Sequence, residues 1–90
     1  MRTLDQVRQD IDQVDRQMTA LFEERMHLVA EVIAVKQAAG LPVLDAAREE
    51  VVVEKNTARL TDQELARYYE AFIRKTMELS KEYQRSLLER

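Results

Sequence analysis

Ninety residues with one glycine (Gly40), one proline (Pro42) and no cysteine leave room for a single small domain over residues 1–90; they argue against a turn-rich β fold, a disulfide framework or thiolate chemistry. One histidine, His27, is too few for a histidine-built metal site, and a formal charge of −3 without a basic stripe gives no general pull toward nucleic acid. The N-terminus MRTLDQVRQDID lacks the apolar core of a signal peptide, and no run approaches the ~20 apolar residues that span a bilayer, so a soluble, cytoplasmic protein off the membrane is expected.

From Leu4 to about Ala39 nothing interrupts a helix, and Glu, Gln, Arg, Ala and Leu dominate its polar and filler positions. Apolar residues recur in three- and four-residue steps, at Leu4, Val7, Ile11, Val14, Met18 and Leu21, then at Leu28, Val32 and Val35. One position of that stripe carries Arg25 instead. In the following AAGLPVLD, Gly40 suits a C-terminal cap, Pro42 forbids continuation and Asp45 suits the N-cap of a second helix. This helix is predicted from about Ala46 to Arg59 or Leu60; its β-branched Val51-Val52-Val53 run lowers helix propensity and requires help from burial. Thr61-Asp62-Gln63-Glu64 reads as a capping box, Thr61 at the N-cap and Glu64 at N3. A third helix runs to near the C-terminus with Leu65, Tyr69, Phe72, Ile73, Met77 and Leu87 or Leu88 on its apolar side. The expected fold class is all-α, three helices per chain with a very long first helix.

Length adds a constraint. A first helix of about 36 residues would extend about 54 Å, whereas a compact chain of this size has a radius of gyration near 12 Å and a diameter of roughly 30 Å. The helix would protrude by about 20 Å with its apolar stripe in water. A second copy alongside is the expected remedy, giving an obligate, entwined, two-fold homodimer.

The polar residues that interrupt the apolar stripes are the candidates for chemistry. Arg25 reads either as a registry device or buried ion pair, or as part of an anion site. Lys36, eleven residues on, returns to almost the same face about 16 Å away, so the two long cations would converge on one small anion. Alone, Lys36 is a solvated residue near a helix end. On the third helix the stripe Tyr69, Ile73, Met77 continues into Ser80 and Gln84, neutral hydrogen-bonders where leucine is expected, at a frayed end or at a site. Asp45 and Glu49 suit an N-cap and a first-turn acid, but Arg48 in that turn opposes the helix dipole. Arg8, beside the seam, reads alone as a surface residue. Asp5, Asp10, Asp12, Arg16, Glu23, Glu24, Lys75 and Lys81 read as solvated charges, His27 as exposed, and Tyr68, Tyr69, Tyr83, Phe22 and Phe72 as core or dimer packing.

Arg8, then Glu24-Arg25-Met26-His27-Leu28, then Lys36, then Pro42-Val43-Leu44-Asp45-Ala46-Ala47-Arg48-Glu49, then Ser80 and Gln84, in this order and spacing, resemble the all-helical chorismate mutase family over the whole chain. The resemblance implies an entwined dimer with two active sites, each among the helices of one chain and borrowing an arginine from the other. Arg8 lies 28 residues from Lys36, about 42 Å along one helix, so a functional Arg8 would act in trans.

The implied reaction is the Claisen rearrangement of chorismate to prephenate, on the way to phenylalanine and tyrosine. It is unimolecular and pericyclic, with no metal or cofactor required. The substrate carries two carboxylates, an ether oxygen and a ring hydroxyl. By the resemblance, Arg25 and Arg8 of the partner subunit grip the carboxylates, and Lys36 and Gln84 donate to the ether oxygen. Glu49 and the Asp45 region accept from the ring hydroxyl, Ser80 supports a carboxylate, and Arg48 completes the anion pocket or orients the acids. Other readings are an isochorismate-pyruvate lyase on the same scaffold, a non-catalytic chorismate- or prephenate-sensing module, or a plain helical dimerisation module. The resemblance also allows association with another enzyme of the shikimate pathway.

Overall fold

A computed structural model describes residues 1–90 as α1 (Leu4–Ala39), α2 (Ala46–Ala58), a one-turn 3₁₀ helix (Gln63–Leu65) and α3 (Ala66–Leu88). The all-α class and the very long first helix are as expected. Both ends of α1 are capped. Gln6 N–H donates to Thr3 Oγ1 at 3.2 Å while Thr3 N–H donates to Gln6 Oε1 at 2.9 Å, a reciprocal capping box. At the other end Gly40 has φ +70°, the left-handed region that glycine enters without a steric penalty. Gly40 N–H then donates to Gln37 O at 3.2 Å and Leu41 N–H to Lys36 O at 2.8 Å, which satisfies two carbonyls the helix leaves orphaned.

Asp45 caps α2 as predicted, its Oδ1 accepting from Arg48 N–H at 3.0 Å. The start of α3 differs from expectation: the Thr61–Glu64 capping box does not form. Asp62 takes the cap, its Oδ1 accepting from Glu64 N–H at 3.1 Å. An aspartate reaches an amide two residues ahead, which closes a tighter turn than the box requires. Gln63 Nε2 donates back to Leu60 O at 2.6 Å and pins that turn to the end of α2. The result is a 3₁₀ turn leading into α3, which has no side-chain cap of its own.

The core is small. Val53 meets Ile73 and Met77 between α2 and α3, with Val52 and Tyr69 packed against them. Of the β-branched run, Val53 is buried and Val51 exposed, so burial supports one face of α2 only. Along α3 the buried residues Ile73, Met77, Ser80 and Gln84 form one stripe, while Leu65 and Phe72, expected on the apolar side, are exposed. From α1 only Ile33 is buried. Every residue from Met1 to Glu24 is exposed, including Leu4, Val7, Ile11, Val14, Met18, Leu21 and Phe22.

The dimensions match the expected protrusion of the first helix. The chain measures 56 × 27 × 15 Å with a radius of gyration of 16.4 Å, against about 12 Å for a compact chain of 90 residues. Its accessible surface of 7269 Å² exceeds by about 1,800 Å² what a compact monomer of 10.6 kDa presents. No helix is long and apolar enough to cross a membrane.

Candidate functional site

The C-terminal half of α1, the first two turns of α2 and the C-terminal half of α3 line an open cavity of about 190 Å³. Positions 25, 29, 32 and 36 of α1 face it because steps of four, three and four residues return to one side of a helix. From α3 come Met77, Ser80, Lys81 and Gln84, spaced i, i+3, i+4 and i+7. The loop cap and opening turn of α2 add Asp45, Arg48 and Glu49. Seven of the eight residues singled out by sequence thus converge: Arg25, Lys36, Asp45, Arg48, Glu49, Ser80 and Gln84. Arg8 does not. It is exposed on α1, 17 residues before Arg25, about 26 Å along the helix.

Arg25 is half-buried, and its in-chain partner is a hydroxyl rather than an acid. Arg25 Nη1 donates to Ser80 Oγ, while Ser80 Oγ donates to Thr76 O at 2.8 Å. The second bond turns the serine lone pairs toward the guanidinium. This removes the in-chain buried ion pair as the explanation of Arg25, because no carboxylate lies within 4.0 Å of it. The same holds for Lys36 and Arg48. Lys36 Nζ donates to Val43 O at 2.9 Å, so the carbonyl after Pro42 holds the lysine while two of its three N–H donors stay free. Gln84 is only 6% exposed, and its Nε2 donates to Val29 O at 3.1 Å with the second amide N–H left over. Asp45 uses Oδ1 on its cap and keeps Oδ2.

Lys81 corrects the sequence reading, which placed it among the solvated charges. Its side chain is three-quarters buried and its Nζ lies 2.8 Å from Glu49 Oε1, an ion pair that ties α3 to α2. The signal was available: Lys81 sits four residues after Met77 and three before Gln84, on the stripe already marked as irregular. With Lys81 the cavity holds four cations (Arg25, Lys36, Arg48, Lys81) against two acids (Asp45, Glu49), a local balance of +2 in a chain of −3. A positive hollow favours anions on electrostatic grounds, and planar guanidinium groups suit carboxylates.

The other side of the α2–α3 pair differs. There a hollow of about 390 Å³ is lined by Glu50, Glu54, Glu70 and Arg74 among others. Arg74 bonds both oxygens of Glu50, at 2.8 and 3.2 Å, and also Glu70. Those charged hydrogen bonds, more than the through-space attraction, hold the Glu50 carboxyl below its ordinary range, and they hold the Arg74 guanidinium further above its own. Glu50 and Glu70 share the one cation, so the only cation there is paired, in contrast to the free cations of the first cavity.

A family model described as chorismate mutase type II matches residues 7–85, a span that includes Arg8 and Gln84 and every candidate residue between them. No curated protein and no solved structure matches the chain.

Proposed function

We propose, from the premise that the chain belongs to the chorismate mutase type II family, that it catalyses the rearrangement of chorismate to prephenate in phenylalanine and tyrosine biosynthesis, in the cytoplasm. One observation carries this reading. Arg25, Lys36 and Arg48 line one cavity without a carboxylate partner, beside an amide with a spare N–H. Arg25 and Lys36 are half-buried, and half-buried cations without a counter-ion are costly unless a ligand supplies the charge. A substrate with two carboxylates does so.

The chemistry asks for two things. The flexible enolpyruvyl arm must be held over the ring, and negative charge developing on the ether oxygen must be met as its C–O bond breaks. In this reading Arg25, oriented by Ser80, grips a carboxylate through its remaining donors. Lys36 and Gln84 present their free N–H groups to the ether oxygen. Both are pre-positioned by backbone carbonyls, Val43 O and Val29 O, so little reorganisation accompanies the reaction. Glu49 and Asp45 accept from the ring hydroxyl, and Arg48 completes the anion pocket.

The site needs a second chain. The exposed apolar stripe of α1 and the surface excess of about 1,800 Å² support an entwined homodimer, with Arg8 of the partner subunit as the remaining carboxylate ligand. The direct test follows the ultraviolet absorbance of chorismate mixed with purified protein and identifies the product. Conversion to prephenate is expected. A folded dimer that leaves chorismate unchanged would overturn the reading; release of pyruvate from isochorismate would then point to a lyase, and tight binding without turnover to a sensing module.

A further inference from the structure

Lys81 stands apart from the other cations of the cavity because it alone is paired. Its ion pair with Glu49, at 2.8 Å, has both side chains 24% exposed. In the other four ion pairs of the chain the side chains are 44–61% exposed. Water therefore screens the Glu49–Lys81 charges less, and either one acts on whatever enters the cavity.

Glu49 poses a problem for a dianionic ligand. As an acceptor for a ring hydroxyl it has to sit beside the substrate, yet its own negative charge repels the two carboxylates gripped nearby. Lys81 occupies Oε1 and leaves Oε2 without a partner in the chain. Building on the mutase reading, we infer that Lys81 is a positioning residue that neutralises Glu49 through Oε1, so that Oε2 accepts the hydroxyl without repelling the carboxylates. Lys81 also fixes the carboxylate rotamer by anchoring it to α3 one residue beyond Ser80, the support of Arg25. Hydroxyl and carboxylates are present in substrate and transition state alike, so the contribution is to uniform binding and falls on KM rather than kcat.

Lys81→Met keeps the aliphatic stem and removes the charge. With chorismate as substrate, K81M should raise KM about tenfold and leave kcat within about threefold. In an E49Q background Lys81 still attracts the dianion directly but no longer holds a carboxylate, so the same substitution should raise KM by clearly less, about threefold. An unchanged KM in K81M, or an equal rise in both backgrounds, would overturn the inference. A tie that merely held α2 to α3 would lower the melting temperature, with the same dependence on Glu49, and leave KM unchanged below the melting transition. Lys81→Gln carries the same comparison if the methionine variant does not fold. Absence of chorismate turnover by the unmodified protein overturns the mutase reading and this inference with it; normal turnover with an indifferent K81M overturns this inference alone.

Discussion

The two halves of α1 treat their side chains in opposite ways. From Leu4 to Phe22 the helix carries a regular apolar stripe, and every residue of it is exposed. From Arg25 to Lys36 the stripe is broken once, by Arg25, with Lys36 beside Val35; Leu28, Val32 and Val35 are exposed as well, but this half bonds to α3 and lines the cavity. Apolar residues stand in water while an arginine and a lysine turn inward. Burial within one chain cannot account for such an inversion, because each apolar side chain left exposed forfeits roughly 1.5–3 kcal/mol. The arrangement becomes favourable once the first half packs against another chain and the second half receives an anion. On the proposed reading the interrupted half is the site, and the regular half without a cover is the interface.

The strongest way to break this comparison is to spoil the uncovered half. Ile11→Asp combined with Val14→Asp should abolish assembly, collapse the far-ultraviolet helix signal and remove activity. Sedimentation should fall from a two-chain mass to the 10.6 kDa of one chain. A double variant that stays dimeric and active would refute the interface. The cavity half should respond differently. Lys36→Ala should cut kcat about 10²–10³-fold, the loss typical of one pre-positioned donor to developing charge, while helicity and dimer mass stay intact. Mixing it with inactive Arg8→Ala chains joins the two halves in one measurement. Random exchange on a two-fold dimer should restore about a quarter of the sites, and no recovery after verified exchange would rule out sharing in trans.

Gln84→Glu sharpens the chemistry further. A carboxyl donates a hydrogen bond only while protonated, so the variant should be active at low pH and lose activity as pH rises through the titration of the new acid. The unmodified protein should show no such loss from this residue. A pH-rate profile of both decides it.

The smallest effect lies outside the cavity. Arg74 holds Glu50 below its ordinary value of 4.5, so this pair contributes stability above that pH and loses it as pH falls through the lowered value. Glu50→Gln should flatten that acid limb in pH-dependent unfolding by a small amount, since the pair is exposed. Activity at neutral pH should not move.

Much of the site was legible because cations on an apolar stripe are rare enough to stand out. Arg25, Ser80 and Gln84 each break a three-and-four repeat, Lys36 returns to the face of Arg25 eleven residues on, and Arg48 opposes a helix dipole. Lys81 was not legible as part of it. A lysine in a charged C-terminal helix looks like any solvated residue, and its importance depends on Glu49 lying opposite, 32 positions away in sequence. The start of α3 was misread for a related reason: Thr61 and Asp62 are both competent caps, and the choice between them depended on Gln63 reaching back to Leu60 O.

By itself the sequence determined the three helices, their breaks at Gly40 and Pro42, and the excessive length of α1, because periodicity, capping and rise per residue are local properties. Only the tertiary structure decided which partner each polar side chain takes. It set Arg25 on a hydroxyl, Lys36 on a carbonyl and Lys81 on Glu49, since two of those choices join residues on different helices and depend on how the helices cross, and the third depends on how the loop after Gly40 folds back.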